Sequence, residues 1–328
     1  MSKWIANGRC FFLHFSDLGC FIFPFWRDDE ADLGDKTSAH LGGKGGGRKC
    51  GAYGVSKTMN VSIVTISYNQ AQFLEQAILS VINQDYSNIE YIVVDPGSTD
   101  GSREIIEMYR SRISKLVLEK DAGAADGLNK GFSYGTGDVF GFLNSDDELL
   151  PNALSKIATF FNANPSVDVV SGCGYFTNSE GTRLRRIVSS KVTPWLYVHG
   201  GVSLFQQGTF FRASIFREVG GLNIENKTCW DGELFLDMAL AGARFATIGD
   251  DLALFRLHAG GITGSGRLEE KFRKDTARLF IKATGRQRNG FDAVQDIAAR
   301  LAKGLVDPKY FFRRVPSINK LMKRVGIY

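Results

Sequence analysis

The stretch that decides the fold is DVFGFLNSDDELLP, residues 138–151. Its short apolar run, Val139 to Leu143, carries Val and Phe and reads as a buried strand. The run ends abruptly in Asn144, Ser145 and two adjacent carboxylates, Asp146 and Asp147; Glu148 follows, and Pro151 stops the local pattern. Carboxylates at the carboxyl end of such a strand lie where open α/β sheets bind ligands. Two adjacent acids are costly unless something positive neutralises them. Hard divalent cations bind oxygen ligands, often one or two carboxylates plus a substrate's phosphates. A solvated acidic turn capping the next helix would show the same letters, so the pair has to be read with its surroundings.

Upstream, the chain alternates regularly. A strand at 61–66 precedes a helix at about 71–83, with Phe73, Leu74, Ala77, Ile78 and Val81 on one face. Strand 90–95 follows, then the turn PGSTDGS, a helix through IIEMYRSR, strand 115–118, a Gly-rich turn, a helix near 124–135 and strand 138–143. Strands alternating with helices of this length predict an α/β fold with a mostly parallel sheet and βαβ crossovers. Downstream, a helix runs from Pro151 to about 162. Strand-like pieces follow at 167–177, 183–188 and 203–212, then a helix near 231–241 and a strand at 244–249. Residues 267–284, 291–304 and 309–324 read as helices, bounded by Gly285, Gly290, Gly304 and Pro308.

Residues 1–58 differ from everything after them. Phe-rich sequence gives way to acidic sequence and then to HLGGKGGGRKCGAYG, with no period of 2 or 3.6. The folded domain is expected to begin at Met59, with 1–58 a disordered leader. Charge is also unevenly spread. Residues 59–266 hold 16 Lys+Arg against 23 Asp+Glu, whereas residues 267–328 hold 16 against 6. A basic tail suits an acidic partner or anionic lipid. The segments KYFFRR (309–314) and NKLMKR (319–324) interleave aromatics or aliphatics with cations, as an interfacial helix does. Amphipathic helices with solvated basic faces would give the same count.

The five cysteines are odd in number and lack zinc-ligand spacing, so neither a disulfide framework nor a zinc site is indicated. A reducing, cytoplasmic compartment fits. No apolar run reaches the roughly 18 residues of a spanning helix; Phe11–Trp26 is broken by His14, Ser16, Asp17 and Pro24.

Four polar segments end successive candidate strands: Thr65–Asn69, Asp95–Asp100, Asp121–Gly123 and Asn144–Asp147. In a doubly wound sheet these ends converge on one crevice, and the turns open helices whose amides favour anions. No G-x-G-x-x-G fingerprint and no P-loop occurs, which disfavours dinucleotide and P-loop functions.

These blocks carry a resemblance. VSIVTISYNQAQFLEQAILSVINQDYSNIEYIVVDPGSTDGS and EKDAGAADGLNKGFSYGTGDVFGFLNSDDELLP resemble the start and the metal-binding acidic motif of family 2 glycosyltransferases with the GT-A fold. QQGTFFR (206–212) and WDGELFLDMALAGARF (230–245) resemble the family's acceptor-side motifs. The likeness spans about 59–260. It implies a Rossmann-like GT-A domain at 59–265, with a nucleotide-binding half (59–151), an acceptor-side half (152–265) and a basic helical extension (266–328). It also implies an inverting transfer from a nucleotide-diphosphate sugar, UDP-sugar favoured, to a glycan or lipid-linked acceptor in cell-envelope polysaccharide synthesis. A divalent metal, Mg²⁺ or Mn²⁺, would assist, and the enzyme would work in the cytoplasm or at the inner face of the membrane. The activity implied is hexosyl or N-acetylhexosaminyl transfer, with no nucleic-acid partner.

The resemblance also implies roles. Asp95 would accept a hydrogen bond from the base, with Thr65, Ser67, Tyr68 and Asn69 around base and ribose. The family often has a second acid after this Asp; Pro96 stands here instead. Asp126 and Lys130, at i and i+4 on one helix, would meet a ribose hydroxyl and a phosphate, or simply pair with each other. Asp147 is expected to be the direct metal ligand, with Asp146 toward ribose or a metal-bound water and His258 beside the diphosphate or metal. Asp231 is the expected general base, with Glu233 as substitute; an N-cap role is the structural alternative for Asp231. Two rival functions remain at this point. A sugar-phosphate nucleotidyltransferase would want a Gly- and Arg-containing loop that TISYNQAQF lacks. A non-catalytic GT-A-like scaffold would not need the acids that are present.

Overall fold

A computed structural model describes residues 58–258, 269–307 and 310. The expected leader and the helix at 309–324 lie outside these residues, apart from Thr58 and Tyr310.

With three short ones added that the sequence did not announce, at 148–149, 194–198 and 213–218, the elements keep the anticipated order. They are β1 (Val61–Ile66), α1 (Ala71–Ile82), β2 (Ile89–Val94), α2 (Ser102–Met108), β3 (Lys115–Val117), α3 (Ala124–Ser133), β4 (Val139–Asn144), β5 (Glu148–Leu149) and α4 (Ala153–Ala163). The second half holds β6 (Val169–Thr177), β7 (Arg183–Val188), α5 (Pro194–Val198), β8 (Thr209–Arg212), α6 (Ala213–Glu218), α7 (Trp230–Leu240), β9 (Phe245–Arg256), α8 (Glu269–Thr284) and α9 (Asp292–Val306). The strands form one sheet in the order β3-β2-β1-β4-β8-β6-β9-β5, with β7 paired to β6.

The first four strands to be paired in that order, β3, β2, β1 and β4, are mutually parallel, in register Val61↔Ile89 and Val61↔Val139. Beyond β4 the sheet is mixed: β8 runs antiparallel to both β4 and β6, while β9 is parallel to β6. The parallel half shows why its strands read as continuous apolar runs. Ile63, Tyr91 and Val93 face Leu74, Ile78 and Val81 of α1 and Ile157 and Phe161 of α4. Val64, Ile92, Val94, Phe140 and Phe142 face Leu128 and Phe132 of α3 and Phe235 of α7. Both faces are covered, so both phases of the period-2 pattern are apolar. Gly131 makes the α3 contact possible: a Cβ there would lie 2.4 Å from Val64 Cγ1.

Two elements depart from expectation. Of 203–212, only Thr209–Arg212 is strand, because Gln206–Gly208 turns as a 3-10 segment that aims two glutamines into the interior. β9 runs on through Gly249-Asp250-Asp251, where polar residues interrupt the apolar pattern. Its pairing with β6 shifts register around Cys173, and Asp251 is held by Arg186 and Tyr175. That continuation carries Arg256 and His258 to the acidic turn.

Candidate active site

The carboxyl ends of β2, β1 and β4 stand side by side because the three strands are in register, Val94 beside Ile66 beside Asn144. The backbone continues the alignment: Ser67 N–H donates to Val94 O at 2.9 Å and Ser145 N–H donates to Ile66 O at 3.1 Å. At the β2 end, Asp95 is fully buried. Its Oδ1 accepts from the amides of Gly97 (3.0 Å) and Ser98 (2.8 Å) and from Arg103 Nε (3.1 Å). Its Oδ2 and the Oγ of neighbouring Ser67 are buried with no partner. Buried polar atoms are nearly always hydrogen-bonded, so two orphans at adjacent strand ends are the mark of a site completed by a ligand. Asn69, in the left-handed region at φ 52°, ties the two ends together: its amide donates to Ser98 Oγ (2.8 Å) and its Oδ1 accepts from Thr99 N–H (2.9 Å). Tyr68 beside it is exposed.

Thr65 departs from its expected place. It is fully buried, with Oγ1 accepting from Tyr91 OH at 3.1 Å, so it packs beneath the crevice. Its strand position points it to the α1 side, a parity that the sequence already contains.

In the acidic turn, the two aspartates have different surroundings. Asp147 is 1% exposed. Its Oδ2 accepts from Asn144 Nδ2 (3.1 Å) and Gln207 Nε2 (2.8 Å), and its Oδ1 accepts from Arg256 N–H (3.0 Å). Burial, and then the charge of Asp146, push its pKa well above the ordinary range. Asp146 retains some exposure, and its Oδ2 lies 2.9 Å from His258 Nε2. The His258 ring sits against Phe73, centroids 4.7 Å apart. Arg256, a residue that the sequence did not mark, lies buried beneath both acids. Its Nε donates to Asp146 O (3.0 Å), its Nη1 to Ser179 O (2.9 Å), and its Nη2 to Gln76 Oε1 (2.7 Å) and to the Glu148 carboxylate. The two carboxylates are therefore placed differently. The carboxylate with both oxygens satisfied by the fold is Asp147, and the one facing outward beside an imidazole is Asp146.

Across the crevice, Asp126 and Lys130 pair with each other at 3.0 Å, and Asp126 also accepts from Ala122 N–H at 2.9 Å. These bonds hold Asp126 below the usual carboxylate range. They shape the β3–α3 loop, which Lys227 also grips through Ala122 O at 2.8 Å. Gly127 is required there, since a Cβ would lie 2.7 Å from Asp121 Oδ2.

On the acceptor side, Trp230 opens α7 and its ring stands 5.7 Å from that of Phe142, which brings the helix start next to the end of β4. The helix is capped at Cys229 without a side-chain bond, so Asp231 does not serve as the N-cap. Asp231 is partly exposed, accepts from its neighbour Gly232 N–H (2.8 Å), and is pushed up in pKa by desolvation. Glu233 is different. It is fully buried, forked by Arg278 at 2.6 Å on each oxygen, and further bonded by Lys282 (3.1 Å), Asn226 (2.8 Å) and Asn223 (3.1 Å). Although burial opposes ionisation, these donors bring its pKa down to about 2. Glu233 is thus excluded as the substitute base: it has neither a free lone pair in reach of a substrate nor the basicity. It anchors α8 to the domain. His199 is likewise buried, 2.7 Å from Asp296.

Among the described residues no group of three or more His, Cys, Asp and Glu side chains could hold a metal. Asp146 and His258 form a pair, and a pair suffices where a substrate's phosphates and water complete the shell. The donor set therefore fits a divalent cation that arrives with a phosphorylated ligand.

A parallel sheet with a polar crevice at its strand ends, continued by a mixed half, is the GT-A architecture of glycosyltransferases. The family model "Glycosyl transferase family 2" matches residues 62–220, so this stretch of the chain is a family 2 glycosyltransferase domain. An uncharacterised glycosyltransferase of Nostoc sp. is 26% identical over 245 residues, 71% of this chain and 76% of that protein. Other curated relatives are matched over 55% or 41% of their own length. Among solved structures, residues 1–349 of S. aureus TarS with UDP-GlcNAc align with a TM-score of 0.59 and 19% identity, over 76% of this chain and 74% of that one. The Pyrobaculum calidifontis mannosyltransferase PcManGT with GDP-Man and Mn²⁺ aligns at 0.54 and 18%, over 82% and 76%. At these identities the likeness establishes the fold.

Proposed function

We propose that the chain transfers a sugar, with inversion, from a nucleoside-diphosphate donor to a hydroxyl of a glycan or lipid-linked acceptor, assisted by a divalent cation. The observation that carries this reading is the pair of orphaned buried atoms, Asp95 Oδ2 and Ser67 Oγ, one strand away from the Asp146–His258 pair. Asp95 Oδ2 is an acceptor and Ser67 Oγ a donor or acceptor, which suits the edge of a nucleobase with both an N–H and a carbonyl. Uracil has that edge, so a UDP-sugar is favoured; the UDP-GlcNAc bound by TarS is in keeping with it. Tyr68 and Asn69 border the base and ribose, and Lys130 lies on the diphosphate side of the β3–α3 loop.

Asp146 and His258 would hold Mg²⁺ or Mn²⁺, as the Mn²⁺ complex of PcManGT suggests for the fold. Bound there, the cation would stabilise charge on the departing diphosphate. Asp231 takes the proton of the acceptor hydroxyl as its oxygen attacks the anomeric carbon and the bond to the diphosphate breaks. Its raised pKa makes it a better base than an exposed aspartate. Residues 59–151 then form the donor half, 152–265 the acceptor half and 266–328 the extension. A panel of nucleotide sugars with Mn²⁺ or Mg²⁺, followed by product analysis, tests the reading. Release of UDP and transfer with inverted configuration are expected. Turnover of no nucleotide sugar, or transfer unaffected by chelation, contradicts it.

A further inference from the structure

Arg256 reaches both acids of the turn after β4, one through its backbone and one through its side chain. Its amide donates to Asp147 Oδ1 and its Nε to Asp146 O, each at 3.0 Å. The rest of the guanidinium is shared among three other segments. Nη1 donates to Ser179 O (2.9 Å) in the turn between β6 and β7. Nη2 donates to Gln76 Oε1 (2.7 Å) of α1 and to the Glu148 carboxylate of β5. Arg256 is 4% exposed, and its guanidinium lies 4.8 Å from the centre of the Phe73 ring. A buried cation is tolerated where its donors are satisfied, and a planar fork bonded on several sides holds one orientation.

The same contacts converge on His258. Leu257 N–H donates to Thr177 O at 2.8 Å, so the pairing of β9 with β6 runs on past Arg256. Two residues apart on an extended chain, Arg256 and His258 fall on the same side. Both meet the Phe73 ring, the imidazole with its centroid at 4.7 Å. Both also meet Asp146, the guanidinium at the carbonyl and His258 Nε2 at Oδ2 (2.9 Å). The bond from Arg256 goes to the backbone of Asp146, which leaves its carboxylate for another partner. We propose that Arg256 is the positioning residue of the Asp146–His258 pair. It fixes the Asp146 backbone from beneath and, through Phe73, backs the imidazole, so that carboxylate and ring nitrogen stay together for a divalent cation. This inference rests on the cation reading of the proposed function. Residues that orient a metal's ligands without touching the metal typically change its affinity about 10 to 100-fold.

The test is calorimetry of the full chain, with Mn²⁺ titrated in the presence of UDP and UDP titrated separately with a chelator. Arg256→Lys keeps the charge and loses the fork. Its Mn²⁺ binding is expected to weaken about tenfold or more. Its UDP binding under chelation, which reads the Asp95–Ser67 pocket, should stay at the wild-type value. Gln76→Leu decides the matter if Arg256→Lys does not fold. Gln76 is exposed, neutral and on another element, so its loss removes one bond of the fork without changing the charge beside the cation. Mn²⁺ binding about two- to threefold weaker is expected, as for one hydrogen bond partly felt at the site. Folded Arg256→Lys that binds Mn²⁺ as wild type does overturns the proposal. So does a folded Arg256→Lys that loses UDP binding under chelation as well, since a general disturbance then explains both. Where Arg256→Lys does not fold, wild-type Mn²⁺ affinity in Gln76→Leu overturns it. No Mn²⁺ binding by the wild type overturns the cation reading itself, which keeps the two failures apart.

Discussion

The acidic turn after β4 and the first turn of α7 are built alike. Each offers two acids close in sequence, Asp146 with Asp147 and Asp231 with Glu233. In each, one acid is tied into the fold and the other keeps some exposure. Asp147 and Glu233 are buried and accept three and six bonds respectively. Asp146 and Asp231 retain exposure and carry few bonds. The buried members differ in one respect. Glu233 is surrounded by cations and held at a pKa of about 2, while Asp147 faces neutral donors and another carboxylate and is pushed up. Acids close in sequence therefore end in different surroundings, and on the function proposed above the donors around each oxygen separate the acid that acts from the one that holds the fold.

Substitutions that separate the members of each pair test this comparison. The largest effect is expected at Asp231→Asn, where loss of a general base should lower kcat about 10² to 10⁴-fold. Donor binding measured by calorimetry should stay near wild type. Asp146→Asn should lower kcat by about 10² to 10³-fold through lost stabilisation of the leaving diphosphate, with the melting temperature little changed. Asp147→Asn should show the opposite profile. Its new amide would face Asn144 Nδ2 and Gln207 Nε2 or Arg256 N–H, leaving donors opposed in a buried place. A cost of about 1–3 kcal/mol is expected in denaturant melts, with a smaller effect on turnover per folded molecule. Glu233→Gln should loosen α8 at a cost of about 2 kcal/mol, less than a wholly buried pair because Arg278 and Lys282 are about 40% exposed. Activity per folded molecule should persist.

The smallest effect is on pH. Glu233 has a folded pKa below its ordinary value, so its contribution is present above about 4.5 and is lost as pH falls toward about 2. Acid melts should show the α7–α8 contact weakening in that window, and Glu233→Gln should remove the dependence. Asp231 shifts the other way, so the acid limb of kcat should lie above the ordinary aspartate range and vanish in Asp231→Asn.

Much of this was legible in the chain. Strands alternating with helices announced a mostly parallel sheet with βαβ crossovers, and the helix face of Phe73, Leu74, Ala77, Ile78 and Val81 is buried as read. The four polar strand ends do gather, because parallel strands in register bring their carboxyl ends to one edge. What the letters did not contain was the far side of each contact. Nothing near Asp147 predicts that Gln207 and the amide of Arg256, 60 and 109 residues away, will occupy its oxygens. Likewise, Arg278 and Lys282 meet Glu233 from a helix 45 residues on. Thr65 is a case where the information was present: strand parity places it with Ile63, on the α1 side. Arg256 was hidden because β9 crosses Asp250-Asp251, where the apolar pattern breaks and a reading of the sequence ends the strand.

The central claim is that Asp146, and not its neighbour, meets the cation. Mn²⁺ binding in the presence of UDP, measured by calorimetry on wild type, Asp146→Asn and Asp147→Asn, tests it most directly. The account predicts that Asp146→Asn abolishes the metal-dependent heat while folded Asp147→Asn retains it. Retention by Asp146→Asn with loss in Asp147→Asn would contradict it.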